Sequence, residues 1–231
     1  MRLKAIVISL LTAGAATLAW QGDAAGWRTR FPVDKSKLAS TGVNPYFNLT
    51  PGHRLHYEHG RDTRTTTVLA ETKKIDGVEA RVVEDRETSN GQLTELTQDY
   101  YAFDPATKDV YYFGEDVDVY KNGKVVSHEG SWLSGVKGAK FGLMMPGEAK
   151  VGQRFYQEQA PGVGMDRAEI VALGERITTP AGTFDKCLHT RESSAIEKGS
   201  EDKWYAPGVG LVKDSEFVLV NPRTSQPPRV P

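Results

Sequence analysis

From residue 54 onward the chain alternates between apolar and polar positions. Runs such as RLHYEH (54–59), VEARVVEDRETS (78–89), LTELTQDYYAFD (93–104) and DVYYFGEDVDVY (109–120) repeat with a period of two. That is the pattern of a strand with one face buried and one face wet. TRTTTVLAETKKI (63–75) and KVVSHEG (124–130) continue it. Between these runs stand Asp76-Gly77, Asn90-Gly91 and Asn122-Gly123, dipeptides that accept the positive φ angles of two-residue hairpins. The second half repeats the habit in RFYQEQA (154–160), DRAEIVALGERIT (166–178), KCLHTRESS (186–194), EDKWYA (201–206) and LVKDSEFVLV (211–220). No window carries a convincing helical stripe. The pattern predicts an all-β single domain of about ten or more antiparallel strands. So long a sheet must curl or close to bury one face, so a strongly curved, half-barrel or barrel-like form is expected.

Three segments depart from the alternation. Residues 1–25 read as a signal peptide: Arg2 and Lys4, then the apolar AIVISLLTAGAATLAW (5–20), then small residues suited to cleavage. No cysteine stands near that point, so a lipobox is not expected. The chain is then expected in the periplasm or secreted, with no transmembrane segment after cleavage. Residues 26–53 read as an N-terminal arm packed on the domain through Trp27, Phe31, Tyr46 and Phe47. Residues 54–220 form the β domain, interrupted at 130–152 by GSWLSGVKGAKFGLMMPGEAKVG. That stretch reads as a long loop, either a lid over a site or a plug packed by Trp132, Phe141, Leu143 and Met144. The tail, residues 221–231, reads as disordered.

Composition narrows the function classes. The chain has 231 residues, is 39% hydrophobic and has a formal net charge of −1. No basic field calls for nucleic acid. The single cysteine, Cys187, excludes an internal disulfide, and in an alternating strand it reads as a small buried residue. A Cys187–His189 nucleophile pair would need an oxyanion site that the sequence does not offer.

Candidate chemistry concentrates in YYFGEDVDVYKNG (111–123). It fails as an EF-hand, which needs acids at positions 1, 3 and 5, glycine at 6 and glutamate at 12. As a strand entering an Asn-Gly turn it works, with Tyr111, Phe113, Glu115, Val117 and Val119 on one face. Glu115 thus falls in the apolar series, and a carboxylate facing a core or cavity must be paired, hydrogen-bonded or neutral. The alternative is a β-bulge at Gly114 that swings Glu115 outward. Around Glu115 the expected ligand-binding residues are Trp132, Glu129, Glu158 and Asp166. His128 with Glu129 and Glu115 would make a divalent-metal set, and Glu158 with Asp166 a general acid and base. Strand alternation puts His53 and His59 on one face with His56 opposite, so the three do not converge as a metal set. No metal or other cofactor is predicted.

The stretches ITTPAGTFDKCLHTRE (177–192) and KWYAPGVGLVKDSE (203–216) resemble a group of bacterial exported proteins of unknown function that carry PAGTF…C and YAPGVGLVK strands. YYFGED (111–116), EGSW (129–132) and MPGEAKVGQRFYQEQAPGVGMD (145–166) resemble the same group, which covers most of residues 44–216. The shorter element is also similar to envelope proteins built as curved, half-barrel sheets. The group has no established catalytic residue, so the resemblance implies an envelope protein and no chemistry. Three readings follow. The first is a ligand-binding or accessory envelope protein holding a small or apolar ligand. The second is a structural envelope protein without a ligand. The third is a carboxylate- or metal-dependent enzyme using Glu115, Glu129 and Glu158. A protein partner is not specified.

Overall fold

The structure, a computed structural model, describes residues 26–223. The expected signal peptide and the last eight residues lie outside the described residues. Strands β1 (Val43–Asn44) and β2 (Phe47–Asn48) form a small hairpin of their own. The main sheet is built from β3 (Arg54–His59), β4 (Asp62–Ile75), β5 (Val78–Ser89), β6 (Gln92–Phe103), β7 (Val110–Lys121), β8 (Lys124–Ser127), β9 (Trp132–Leu133), β10 (Lys140–Met145), β11 (Arg154–Tyr156), β12 (Glu158–Gln159), β13 (Asp166–Thr179), β14 (Gly182–Ser194), β15 (Glu201–Ala206), β16 (Gly210–Asp214) and β17 (Phe217–Arg223). Among the described residues the helical content is one 3-10 turn, Lys35–Lys37.

The sheet runs in the order β11-β13-β14-β15-β16-β17-β3-β4-β5-β6-β7-β10-β12, with β8 and β9 added on β7, and is antiparallel throughout. Its two outer strands, β11 and β12, are consecutive in the chain and joined by Gln157 alone. The sheet is therefore a 13-stranded barrel that closes on itself except at that seam. The expected all-β, barrel-like class is what the chain adopts.

The hairpin turns follow the dipeptides. Asp76, Asn90 and Asn122 have φ of 49°, 49° and 53°, each followed by a glycine at positive φ, as type I′ turns require. Each turn fixes its register, so β4, β5, β6 and β7 pair over nearly their full lengths.

Four expectations change. Residues 130–152 are not a loop: they contain β9 and β10, both paired with β7. Their glycines allow close chain approach; a Cβ on Gly142 would lie 2.3 Å from the Gln157 carbonyl oxygen, so only glycine lets β10 pass the seam. RFYQEQA is not one strand but two, β11 and β12, which pair with opposite ends of the sheet. LVKDSEFVLV turns at Ser215, whose φ is 51°, into β16 and β17. Finally, residues 221–223 are strand rather than tail, because β17 is held against β3 through Asn221↔His56 and Arg223↔Arg54.

The arm lies across both the wall and the interior. Phe31 is buried on the outer face against Tyr111 and Phe141, and Trp27 packs edge-on to Tyr156. Further on, Phe47 of the β1–β2 hairpin meets Tyr101 inside the barrel, with ring centroids 5.0 Å apart. Arg81 secures this cap by donating to the Ser40 carbonyl at 2.9 Å and to Thr41 Oγ1 at 2.6 Å.

Candidate ligand-binding site

Strand alternation turns an unusual set of side chains inward. Register partners share a face, so the pairings Val83↔Asp99, Asp99↔Glu115 and Glu115↔Trp132 lay one row across β5, β6, β7 and β9. Asp85 stands two residues beyond Val83 on the same face. Asp85, Asp99, Glu115 and Trp132 are all buried. Glu115 is 3% exposed, although the bulge foreseen at Gly114 is real. The register shifts between Tyr100 and Tyr101, and Gly114 has φ of 140°. The bulge acts on the residues before it. It brings Tyr112 rather than Phe113 to the inner face, where Tyr112 stacks on Tyr101 at 4.8 Å and meets Trp132 edge-on at 5.3 Å.

Asp99 and Glu115 are therefore two carboxyls side by side in a closed interior. The Tyr112 hydroxyl donates to Asp99 Oδ1 at 2.5 Å. Burial, reinforced by the charge of Glu115, pushes the Asp99 pKa up to about 8, so Asp99 carries a proton at neutral pH. Asp85 accepts from Thr66 Oγ1 at 2.6 Å.

A second buried polar set centres on β14, β15 and β16 and is completed by Arg64 from β4. Lys203 Nζ donates to Glu192 Oε2 at 2.6 Å, and Arg64 Nη1 to Asp214 Oδ2 at 2.7 Å. Lys203 and Asp214 are register partners, so the two pairs form one network. The Tyr205 hydroxyl and the Gln157 amide also donate to Glu192 Oε1, each at 3.1 Å. Burial alone would lower the Lys203 pKa. Asp214 and Glu192 reverse that and hold the ammonium above its usual range. Burial alone would raise Asp214; Lys203 and Arg64 hold it below the usual carboxylate range. The Arg64 guanidinium also lies over the Tyr57 and Phe217 rings at 4.8 and 5.3 Å.

Between the two sets lies a cavity of about 70 Å³. It is lined by the polar side chains of Asp85, Asp99 and Lys203 and by Leu55, Tyr57, Val68, Val83, Tyr101, Met144 and Tyr205. The half-buried Phe47 and Asn48 of the β1–β2 cap and the buried His53 form its other end. His53 Nε2 lies 2.9 Å from the Val209 carbonyl, which makes that nitrogen the N–H donor.

The expected ligand-binding residues Glu115, Trp132, Glu129, Glu158 and Asp166 do not line this cavity. Glu115 stands on β7, one strand beyond Asp99, and Trp132 on β9, one strand further. Glu158 is buried on β12, where Gly164 lies against its carboxylate. Asp166 is half-buried at the start of β13, and burial raises its pKa. Glu129 is exposed in the turn before β9. Asp116, the neighbour of Glu115, points outward to Lys73, and His128 contacts Asp118 there at 2.8 Å. The carboxylate-and-histidine set is thus scattered over both faces of the wall. Among the described residues no group of three His, Cys, Asp or Glu side chains is placed to hold a metal. His53, His56 and His59 likewise part company, bonding Val209, Thr65 and Glu216. Cys187 is fully buried and burial raises its thiol pKa.

Asp85, Asp99, Lys203, Glu192, Arg64 and Asp214 were not singled out by the sequence. The signal that marks Glu115 marks several of them as well. Asp99 stands two residues from Tyr101, Asp85 two from Val83, Lys203 two from Tyr205, and Asp214 two from Val212, in each case a charge in the apolar series of a strand.

No protein-family model matches the chain, and no curated protein matches it. Among solved structures it is similar to the crystal structure of a "putative lipoprotein" from Parabacteroides distasonis ATCC 8503. The match has 14% identity and a TM-score of 0.38, over 79% of this chain and 100% of that one. A likeness at that level assigns neither fold nor function. Among the described residues no helix is long and apolar enough to cross a membrane, which says nothing of crossing by strands.

Proposed function

We propose that this chain is an exported binding protein of the bacterial envelope, holding a small ligand inside the barrel between the β1–β2 cap and the carboxyls of Asp85 and Asp99. One observation carries this reading: the interior is not filled by side chains but leaves a cavity with apolar walls and a few convergent polar groups, the usual make-up of a small-molecule site. A purely structural barrel of this kind would gain from closing that space, since voids in a core cost stability. Export rests on the signal-peptide pattern of residues 1–25, and the PAGTF and YAPGVGLVK resemblance points the same way.

Native mass spectrometry of the protein purified from its own envelope tests the reading. A retained small molecule is expected, lost in Val68→Phe, which places a ring in the cavity. A clean protein mass, together with no gain in thermal stability from envelope extract, overturns it.

A further inference from the structure

The cavity is polarised in charge, and the polarisation specifies a ligand class. Its lining carries the charged side chains Asp85, Asp99 and Lys203, together with His53. The ammonium is already engaged, since it donates to Glu192 at 2.6 Å and is the register partner of Asp214. The guanidinium of Arg64 is engaged with Asp214. The two carboxyls are less engaged, although Asp85 feels the charge of Arg64 at longer range. Among the described residues neither Asp85 nor Asp99 takes part in an ion pair; each accepts from one neutral hydroxyl, Thr66 Oγ1 and Tyr112 Oη. An ionised carboxylate has about four acceptor positions and a protonated one keeps acceptor capacity beside its O–H, so both can still accept at a site more than nine-tenths buried. The walls beside them are rings, Tyr57, Tyr101 and Tyr205, whose faces attract cations.

We infer, on the binding reading above, that the ligand presents a positively charged nitrogen, a primary or methylated ammonium group, to Asp85 and Asp99. Its small apolar body lies against Leu55, Val68, Tyr101 and Met144. The size follows from the space: a cavity of about 150 Å³ accepts benzene, so about 70 Å³ takes a head group of a few heavy atoms. An anion is disfavoured because it would face the two carboxyls, and the Lys203 ammonium on the lining is already held by Glu192 and Asp214.

Binding is then coupled to a proton. The titratable groups around Asp99 are Asp85 on β5, Tyr101 on its own strand, Glu115 and Tyr112 on β7, and, on the lining of the same cavity, Tyr57 on β3, His53 just before β3, and Lys203 and Tyr205 on β15. With Glu115 beside it, Asp99 keeps its proton at neutral pH. An arriving ammonium favours the ionised carboxylate, and the proton leaves to solvent. Affinity should therefore rise with pH until the free protein itself loses that proton.

Three probes of one shape test the inference by NMR titration of the full chain at about pH 6 and about pH 8: n-propylammonium, 1-propanol and propionate. The expected result is saturable shifts at the amides of Asp85, Asp99 and Tyr101 with n-propylammonium, about tenfold or more tighter than with the alcohol. Binding should be tighter at the higher pH. Asp99→Asn and Asp85→Asn should each weaken it about tenfold or more and keep the native spectrum, since an amide oxygen still accepts the Thr66 or Tyr112 hydroxyl. If 1-propanol or propionate binds as tightly as the ammonium, the cation assignment is overturned and the binding reading stands. If none of the three produces a saturable shift, both are overturned.

Discussion

The two walls of the barrel interior use the same kinds of residue in opposite ways. Around β14–β16 every buried charge meets its opposite: Lys203 with Glu192, and Asp214 with Arg64 from β4, joined through the Lys203–Asp214 register. On the β5–β7 side acids stand next to acids, Asp99 opposite Glu115 with Asp85 beyond. A closed pair of charges holds a fold in one arrangement; acids set side by side repel one another unless protons, a cation or a ligand relieve them. The first wall is therefore scaffold and the second is the responsive surface. The cavity lies between them.

The largest expected effect comes from breaking the balanced wall. Lys203→Met keeps the chain length of the side chain but leaves Glu192 and Asp214 facing an apolar group. Removing one partner of a buried pair costs about 3–5 kcal/mol. Urea denaturation at neutral pH should show the midpoint fall with the slope unchanged. A loss below about 1 kcal/mol would mean that the network contributes little and that the contrast between the walls is wrong.

Gly114→Ala attacks the other wall through its backbone. Its φ of 140° is open to glycine, and a Cβ there would lie 2.4 Å from the Trp132 carbonyl oxygen. Backbone strain and overpacking each cost about 1–3 kcal/mol. The denaturation midpoint should fall accordingly, and near-ultraviolet circular dichroism should lose the signal of the packed Tyr101, Tyr112 and Trp132 rings.

Gly114 also shows what a sequence can and cannot disclose. The turns at Asp76, Asn90 and Asn122 were readable because φ is a local property, and two residues suffice to set it. Inward Glu115 was readable because alternation is local too. The bulge was foreseen as a way to turn Glu115 outward. Its effect falls instead on Tyr112 and Phe113, because a bulge shifts the phase on one side only, and which side depends on pairing with β6. The partnership of Lys203 with Glu192 and Asp214 depends on strand neighbours set by the whole barrel. Residues 130–152 misled because their glycines suit loops and also suit strands that pass close to another chain segment, as Gly142 passes Gln157.

Asp99→Asn separates the walls by pH. In the folded chain Asp99 keeps its proton to about pH 8, whereas the unfolded carboxyl loses it near pH 4. Between those values the folded state binds more protons, so the contribution of Asp99 to stability falls as pH rises, by up to about 1.4 kcal/mol per pH unit. Asparagine cannot ionise. The stability of Asp99→Asn relative to the unmodified chain should grow from about pH 5 to about pH 8 and then level off, as read from urea midpoints across that range. A difference that stays flat would show that Asp99 is ionised in the folded chain and that the acid row is relieved in some other way.

The smallest effect, with the opposite sign, belongs to the outer face of the same strand. Asp116 follows Glu115 and points outward, where its Oδ2 accepts from Lys73 Nζ and from the Tyr100 hydroxyl, each at 2.5 Å. Burial pulls its pKa up, but those two hydrogen bonds outweigh it and the pKa is lowered. A lowered carboxylate contributes stability above the unfolded pKa and loses it as pH falls through the folded one. Its side chain is 50% exposed and that of Lys73 39%, so solvent screens the pair and the contribution is about 1 kcal/mol or less. Asp116→Asn should therefore cost a little at neutral pH, and the cost should vanish below about pH 4. High salt should shrink that cost and leave the effect of Asp99→Asn nearly unchanged, because mobile ions reach the outer face and not the interior. Equal salt sensitivity in the two variants would place Asp99 in contact with solvent and open the interior that the comparison treats as closed.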